Sequence, residues 1–193
     1  MEQEIQDVSI KRIQEAMPQL KGIENELIID YTEYTMPNDK HPIHRYPIRF
    51  DGLYIGLREK GKARFSINLK EFEAGHNDLV ICSPDDLVQA TLQEDVHLVQ
   101  SMVVSSHFLK EMYISLNSFM PFFAARKDHP VFHLTDSEME ELKAYFLLIK
   151  DNIEKDDYFR ADIIKRLLAA YLYKLGSILY RHRPELQEEA AKP

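Results

Sequence analysis

Histidines, carboxylates and a single cysteine are the residues of this sequence that could bind a metal or take part in catalysis. His41 and His44 are spaced i, i+3 in a proline-containing loop, and Glu33, His76 and His97 are the other candidate ligands. Three or four ligands must converge on a metal such as zinc, and these spacings match no such arrangement. We therefore predict scattered histidines, no bound metal and no cofactor.

The patterns of nucleophilic catalysis and phosphate binding are missing from the sequence as well. Cys82 lies in an apolar run, where a thiol behaves as a small hydrophobic side chain with a raised pKa. Asp85 and Asp86 are adjacent and typical of a solvated turn. The sequence contains neither a Gly-x-Ser-x-Gly elbow nor a glycine-rich phosphate loop. These observations favour a protein that is not an enzyme.

Alternating apolar residues predict strands with one buried face. Residues 53–58 and 63–69 alternate on either side of a glycine-containing turn and predict a β-hairpin. If the apolar phase points inward, the lumen is mostly apolar, and it is either a packed core or a pocket for a small ligand. The predicted ligand-binding residues are Leu53, Ile55, Leu57, Phe65, Ile67 and Gln89, with Leu69 in the same phase and Tyr54, Arg58, Arg64 and Gln100 as further polar candidates.

The last predicted helix carries a heptad pattern. Its seam consists of Ala161, Ile164, Leu168, Tyr171, Leu175, Ile178 and His182, and a second apolar row of Leu167, Leu172 and Leu179 lies beside it. A helix with two apolar faces can pack on its own domain and on a partner. We predict a homodimer interface at Ile164, Leu168, Tyr171, Leu175 and Ile178; the alternative is that both faces belong to the core of one chain.

The order of elements predicts an α+β fold. A short helix capped by Ser9 comes first, short strands follow up to residue 105, and a helical region begins at residue 106. Thr135 and Glu138 match a capping box, and Met139, Leu142, Phe146, Ile149 and Ile153 form the apolar stripe of the helix that follows. The predicted divisions are an N-terminal helical arm (1–22), a β-barrel domain (23–105), a helical dimerisation region (106–183) and a linker or tail (184–193).

Composition restricts the partners of this chain. Its 193 residues include 32 acidic and 24 basic ones, for a net charge of −8. Because binding to a phosphate backbone needs a basic face, the charge argues against direct nucleic-acid binding by this chain. No signal peptide and no apolar run of membrane-spanning length are evident, and one cysteine fits a reducing compartment. We expect a cytoplasmic protein without membrane contact.

Several segments resemble a known family. Residues 57–69, then Phe72-Glu73-Ala74-Gly75, residues 78–81 and Ser83-Pro84, look like the N-terminal sensor domain of AraC-type transcriptional regulators. The resemblance implies a cupin-like antiparallel β-barrel of jelly-roll type, followed by an α-helical hairpin that dimerises. It also implies a small-molecule effector in the barrel, and either the N-terminal arm or the helix pair as the moving part.

The sequence departs from the family pattern in two places. Where metal-binding cupins have Pro-x-Gly-x-x-His, this chain has Asp86 in the glycine place and Gln89 in the histidine place, so the enzymatic metal site is not carried over. The helix-turn-helix domain of such regulators is not in this sequence, so DNA binding is expected only through that missing C-terminal part. The alternatives are a metal-free cupin enzyme or small-molecule-binding protein, and a cyclic-nucleotide-type sensor barrel, whose phosphate cassette is not evident.

Overall fold

The structure is a computed structural model, and it describes residues 6–35, 47–84, 86–93, 96–112 and 129–182. His41, His44, Asp85 and the predicted tail at 184–193 lie outside the described residues. The strands are β1 Gln6–Val8, β2 Lys21–Ile23, β3 Leu27–Thr35, β4 Ile48–Phe50, β5 Gly52–Lys60, β6 Ala63–Ile67, β7 Lys70–Ala74, β8 Asp78–Cys82, β9 Leu87–Gln93, β10 Val96–Ser105 and β11 Val131–His133. The helices are α1 Ile10–Ala16, α2 Ser106–Glu111, α3 Asp136–Glu154 and α4 Arg160–Arg181.

The described strands form two sheets, which confirms the α+β class. A five-stranded sheet has the order β1-β4-β9-β6-β7, and a six-stranded sheet has the order β11-β8-β5-β10-β3-β2. The β1–β4 pair is parallel, and the other pairs are antiparallel. Side chains of both sheets share two apolar clusters, so the sheets face each other across a common core.

The six-stranded sheet is buried on both faces. One face, here called the helix face, contributes Leu53, Ile55 and Leu57 of β5 to a cluster that includes residues of α2, α3 and α4. The opposite face, here called the cavity face, contributes Tyr54 and Cys82 to the core between the sheets. Successive side chains of a strand point to opposite faces, so β5 contributes side chains to the apolar clusters on both faces of the sheet. Its alternating pattern alone does not indicate which face packs against the other sheet.

The hairpin predicted for residues 53–69 is wrong. β5 pairs with β8 and β10 in the six-stranded sheet, whereas β6 pairs with β7 and β9 in the five-stranded sheet. The turn between them contains Gly61 at a φ of 73° and carries the chain from one sheet to the other. The two-residue hairpin instead joins β6 to β7 through Asn68 and Leu69, both at positive φ. Leu69 is 82% exposed, so it does not point inward as its phase predicted.

The helical hairpin begins at the predicted capping box. The Thr135 hydroxyl accepts a hydrogen bond from the Glu138 amide, and the Glu138 carboxylate accepts one from the Thr135 amide. All five predicted stripe residues of α3, from Met139 to Ile153, are buried. They pack with α4 and with the helix face of the six-stranded sheet in one cluster.

The predicted dimer seam is buried within one chain, so it is not a dimer interface. Ile164, Leu168 and Ile178 are each 0% exposed, Tyr171 is 1% exposed and Leu175 is 4% exposed. These residues belong to the cluster formed by α3, α4 and the helix face. A heptad pattern indicates that one side of a helix is buried, and here the elements that bury it belong to the same chain. The exposed side of α4 carries Tyr173 and Tyr180 instead.

We expect Leu168→Ala to destabilise the isolated chain by about 2–5 kcal/mol, because the change leaves a cavity in a fully buried site. Leu148→Ala, at a side chain that is 50% exposed on α3, should change stability by no more than about 0.5 kcal/mol. Urea denaturation measured on both variants gives the two values. Equal stabilities for Leu168→Ala and wild type would contradict the burial of the seam.

Candidate functional site

A cavity of about 80 Å³ lies between the two sheets. It is lined by Phe50, Tyr54, Arg58, Ala63, Phe65, Val80, Cys82, Val88 and Ala90. Most of these side chains are apolar, and the polar groups are the Tyr54 hydroxyl, the Arg58 guanidinium and the Cys82 thiol. An apolar pocket with a few convergent polar groups is the usual form of a small-molecule site.

One strand supplies the polar end of this cavity. Tyr54, Gly56 and Arg58 occupy alternate positions of β5, and the side chains of Tyr54 and Arg58 line the cavity. A Cβ at Gly56 would lie 2.6 Å from the Tyr54 hydroxyl oxygen, so the phenol ring extends along the strand over Gly56 in the direction of Arg58. The glycine therefore leaves room for the phenol, and the Arg58 charge on the same face of β5 acts on the Tyr54 hydroxyl.

Both polar groups are hydrogen-bond donors at neutral pH. Arg58 is 8% exposed, and a guanidinium keeps its charge at any pH that a folded protein survives. Burial, more than the charges around it, raises the pKa of the Tyr54 phenol; the Cys82 and Asp30 charges act in the same direction, and Arg58 opposes them. The phenol therefore stays protonated, and the cavity contains a fixed positive charge and a neutral hydroxyl.

The structure places the predicted ligand-binding residues on different surfaces. Phe65 lines the cavity, and Ile67 belongs to the same inter-sheet cluster. Leu53, Ile55 and Leu57 pack against the helices on the helix face, so assigning them to the lumen was wrong. Gln89 is wrong as well, because its neighbours Val88 and Ala90 line the cavity and successive side chains of a strand point to opposite faces.

The polar candidates divide in the same way. Tyr54 and Arg58 line the cavity, whereas Arg64 pairs with Glu73 on the surface and Gln100 donates to Glu59 at 2.5 Å on the helix face. The sequence of β5 does indicate which of its two faces borders the cavity. Tyr54, Gly56 and Arg58 alternate with the leucines and the isoleucine of residues 53–58, and a strand buried on both faces leaves few reasons for such residues other than a cavity.

A half-buried ion pair joins β5 to α3. The Lys143 ammonium lies 2.7 Å from the Glu59 carboxylate, and the two side chains are 24% and 17% exposed. Burial alone would raise the pKa of Glu59, but hydrogen bonds from Lys143, Gln100 and Tyr31 outweigh it and lower that pKa below its ordinary value. Glu59 is thus ionised at neutral pH and ties the six-stranded sheet to the helical hairpin.

A β-bulge lies at this ion pair. In the β5–β10 register Val99 is opposite Arg58 and Leu98 is opposite Lys60, so Glu59 is the extra residue. Bulges change the direction of a side chain and bend the strand locally. Adjacent side chains of a strand point to opposite faces, so Arg58 lines the cavity and Glu59, at the bulge, pairs with Lys143 of α3.

A second link connects the same point to the start of α3. The Asn77 amide donates to the Arg58 carbonyl at 3.0 Å, and the Asn77 side chain donates to the Asp136 carboxylate at 2.5 Å. A cleft of about 150 Å³ lies beside these contacts and is lined by Glu59, His76, Asn77, Asp136, Met139, Glu140 and Lys143. Its mixed charges make it a polar seam between the sheet and the hairpin.

The two ends of the helical hairpin are joined at Glu138. Its carboxylate accepts hydrogen bonds from Arg181 at 3.1 Å and from His182 at 2.9 Å, besides the Thr135 amide. Burial alone would raise the pKa of Glu138, but these hydrogen bonds outweigh it and lower that pKa to about 2. The first turn of α3 therefore binds the last turn of α4.

The described part of the chain offers neither a metal site nor a membrane-spanning helix. Within it, no three His, Cys, Asp or Glu side chains come together as a metal site requires. None of its helices is long and apolar enough to cross a membrane.

Comparisons with known proteins give structural likenesses alone. No family model matches the sequence, and no curated protein matches it. The chain is similar to the AraC-like transcriptional activator CuxR (TM-score 0.48, 12% identity, 80% of this chain and 52% of that chain). It is also similar to apo ToxT from Vibrio cholerae (TM-score 0.44, 12% identity, 79% and 56%), and to a cupin superfamily protein from Desulfitobacterium hafniense (TM-score 0.30, 9% identity, 44% and 72%).

This chain therefore spans little more than half the length of CuxR and ToxT. All three TM-scores are below 0.5, and likenesses at that level carry no argument about ligand or activity.

The lowered pKa of Glu138 predicts a loss of stability in acid. A carboxylate whose pKa is lower in the folded state stabilises the fold above its unfolded pKa of 4.5, and this contribution disappears as the pH falls towards about 2. We expect Glu138→Gln to cost about 1–3 kcal/mol at pH 7, and the difference from wild type to shrink steadily between pH 4.5 and pH 2. Chemical denaturation across this pH range measures it.

Glu140→Gln is the matched control, because Glu140 is exposed on the same helix. It should leave the pH profile of wild type unchanged. A difference between wild type and Glu138→Gln that stays constant down to pH 2 would contradict the account of the Glu138 contacts.

Proposed function

We propose that this chain is the ligand-sensing domain of an AraC-type transcriptional regulator, cytoplasmic and without catalytic activity. The observation that carries the proposal is the pair of adjacent residues Arg58 and Glu59 on one strand. Arg58 lines an apolar cavity between two sheets, and Glu59 forms an ion pair with Lys143 on the helical hairpin. A site that binds a molecule on one face of a sheet and contacts a movable element on the other face is what a sensor requires.

The route of the signal follows from these contacts. A ligand that reaches Arg58 acts on β5 beside its bulge, where the ladder with β10 is irregular and the strand is easiest to shift. Displacement of β5 changes the geometry of the Glu59–Lys143 pair and of the Asn77–Asp136 hydrogen bond. A ligand shifts the output only as far as it binds one arrangement better than the other. The helix pair is therefore the moving part in this proposal.

For DNA binding and dimerisation, the proposal keeps what the sequence resemblance implies. DNA would be bound by a helix-turn-helix domain outside this chain, because a net charge of −8 does not suit direct contact with phosphates. Homodimerisation through the C-terminal helix stays part of the proposal, but on the exposed side of α4. There Tyr173 and Tyr180, spaced i, i+7, are 55% and 36% exposed, and the same patch on a second copy would be its partner in a two-fold arrangement.

Transcript profiling in the source organism tests the proposal. Deletion of the gene should change a defined set of transcripts, and the wild-type gene should restore both their level and their response to growth conditions. Lys143→Met in the full gene product removes the link between β5 and α3. We expect it to reduce the response about 5- to 150-fold, the range that corresponds to a coupling of about 1–3 kcal/mol.

Lys174→Met is the matched control, because Lys174 pairs with Glu141 between α3 and α4, whereas Lys143 pairs with a residue of the sheet. It should respond as wild type does. The proposal would be wrong if the deletion left transcription unchanged, or if both variants lost the response equally.

A further inference from the structure

Two aromatic rings project into solvent from the turn that joins α3 to α4. Tyr158 is 93% exposed and Phe159 is 60% exposed. Their ring centroids lie 4.8 Å apart with the rings perpendicular, which is a favourable arrangement for an aromatic pair. Single exposed apolar side chains are common on proteins, whereas contiguous ones mark surfaces that bind a partner.

The stability of α4 does not explain the phenylalanine. Phe159 occupies the N-cap position of α4 and its side chain makes no capping hydrogen bond, although Ser, Thr, Asp and Asn at this position stabilise a helix. Proteins break such local rules of folding mainly at functional sites. Burial and capping, the two structural uses of a residue at this position, are both absent at Phe159.

Hydrogen bonds within the turn hold both rings in place. The Phe159 amide donates to the Asp157 carboxylate at 3.2 Å, and the Arg160 amide donates to the Asp157 carbonyl at 3.0 Å. The Arg160 guanidinium donates to the Gly22 carbonyl of β2 at 3.4 Å. A segment that is already ordered loses less conformational entropy when it binds, so the turn is preorganised for contact.

The exposed charges next to the rings are negative. Asp156 and Asp157 directly precede the pair, and both are exposed. Of the adjacent bases, Lys155 is neutralised by an ion pair with Asp151, and the half-buried Arg160 is directed to β2. The turn therefore presents an apolar knob with two carboxylates beside it.

We infer that this turn binds a protein whose surface has an apolar pocket framed by Arg or Lys side chains. Tyr158 and Phe159 enter the pocket, and the Asp156 carboxylate pairs with a base on its rim. A guanidinium also stacks on aromatic rings, so basic residues suit both parts of the turn. Two aromatic side chains bury about 150–250 Å² each, so the interface is small and the complex transient.

Photocrosslinking identifies the partner, and binding measurements then test the chemistry. The full gene product carries the photoreactive residue p-benzoylphenylalanine at position 158 in the source organism, and the crosslinked protein is identified and purified. We expect the crosslink to lie in a segment of that protein in which Arg or Lys accompanies apolar residues. Calorimetric titration of the purified pair then gives Kd for wild type and for each variant.

The variants separate binding from folding. Tyr158→Ser and Phe159→Ser should each weaken binding at least about tenfold, as residues at the centre of an interface do. Phe159→Ser introduces a preferred N-cap residue, so the variant should melt at no lower temperature than wild type. Asp156→Asn should weaken binding about two- to fivefold at about 50 mM salt and less at about 500 mM, because salt screens the ion pair.

Leu147→Ser is the matched control, because Leu147 is an apolar side chain that is 40% exposed on α3. It should bind within about twofold of wild type. A partner with all these dependences supports the inference. Absence of a crosslink, a crosslink only to a second copy of this chain, or equal Kd values for wild type and Tyr158→Ser would overturn it. A partner that needs both rings but is insensitive to salt and to Asp156→Asn would overturn the basic rim and thus the stated chemistry.

Discussion

Burial of the six-stranded sheet on both faces is the constraint on which the rest of the structure depends. Its helix face is covered by α2, α3 and α4 in one apolar cluster, and its cavity face is covered by the five-stranded sheet. A sheet in this position has a core on each side, and its strands must contribute side chains that pack in both cores. Because side chains alternate between the faces, neighbouring residues in β5 belong to different environments that are joined by a single peptide unit.

That arrangement gives the chain a short mechanical path between a cavity and a helix. Arg58 is a buried charge on one face, and the Glu59 carboxylate is held on the other by Lys143. Packed cores are stiff, so a displacement of β5 at one face also moves the side chains on its other face. The bulge at Glu59 is the one place in β5 where the described register is irregular, and Arg58 directly precedes it. The same geometry that buries the sheet thus couples its faces.

The sequence predicts best what depends on local chemistry. The capping box of Thr135 and Glu138 and the apolar stripe of α3 are confirmed, because a cap and a 3.6-residue period are properties of one segment. The predicted orientation of the apolar residues of β5 and the predicted packing partner of Leu168 were wrong. Alternation and heptad spacing indicate that a surface is buried, but they do not indicate which element buries it. Which sheet each strand joins is decided by long-range pairing. The sequence marks Arg58 as a polar residue in an apolar stretch. Its position in a cavity depends on the five-stranded sheet that packs against β5, which the sequence of β5 does not reveal.

The coupling of the cavity to α3 is the central claim, and the chain offers a direct test that needs no ligand. Ala90 lines the cavity, and no residue of α3 does, so Ala90→Val adds two methyl groups to a cavity wall that α3 does not form. Amide chemical shifts of ¹⁵N-labelled chain compare this variant with wild type, each with and without Glu59→Gln. The account predicts shifts in the first two turns of α3 that become much smaller in the Glu59→Gln background. Shifts confined to β9 and the cavity walls, with α3 unchanged, would contradict it.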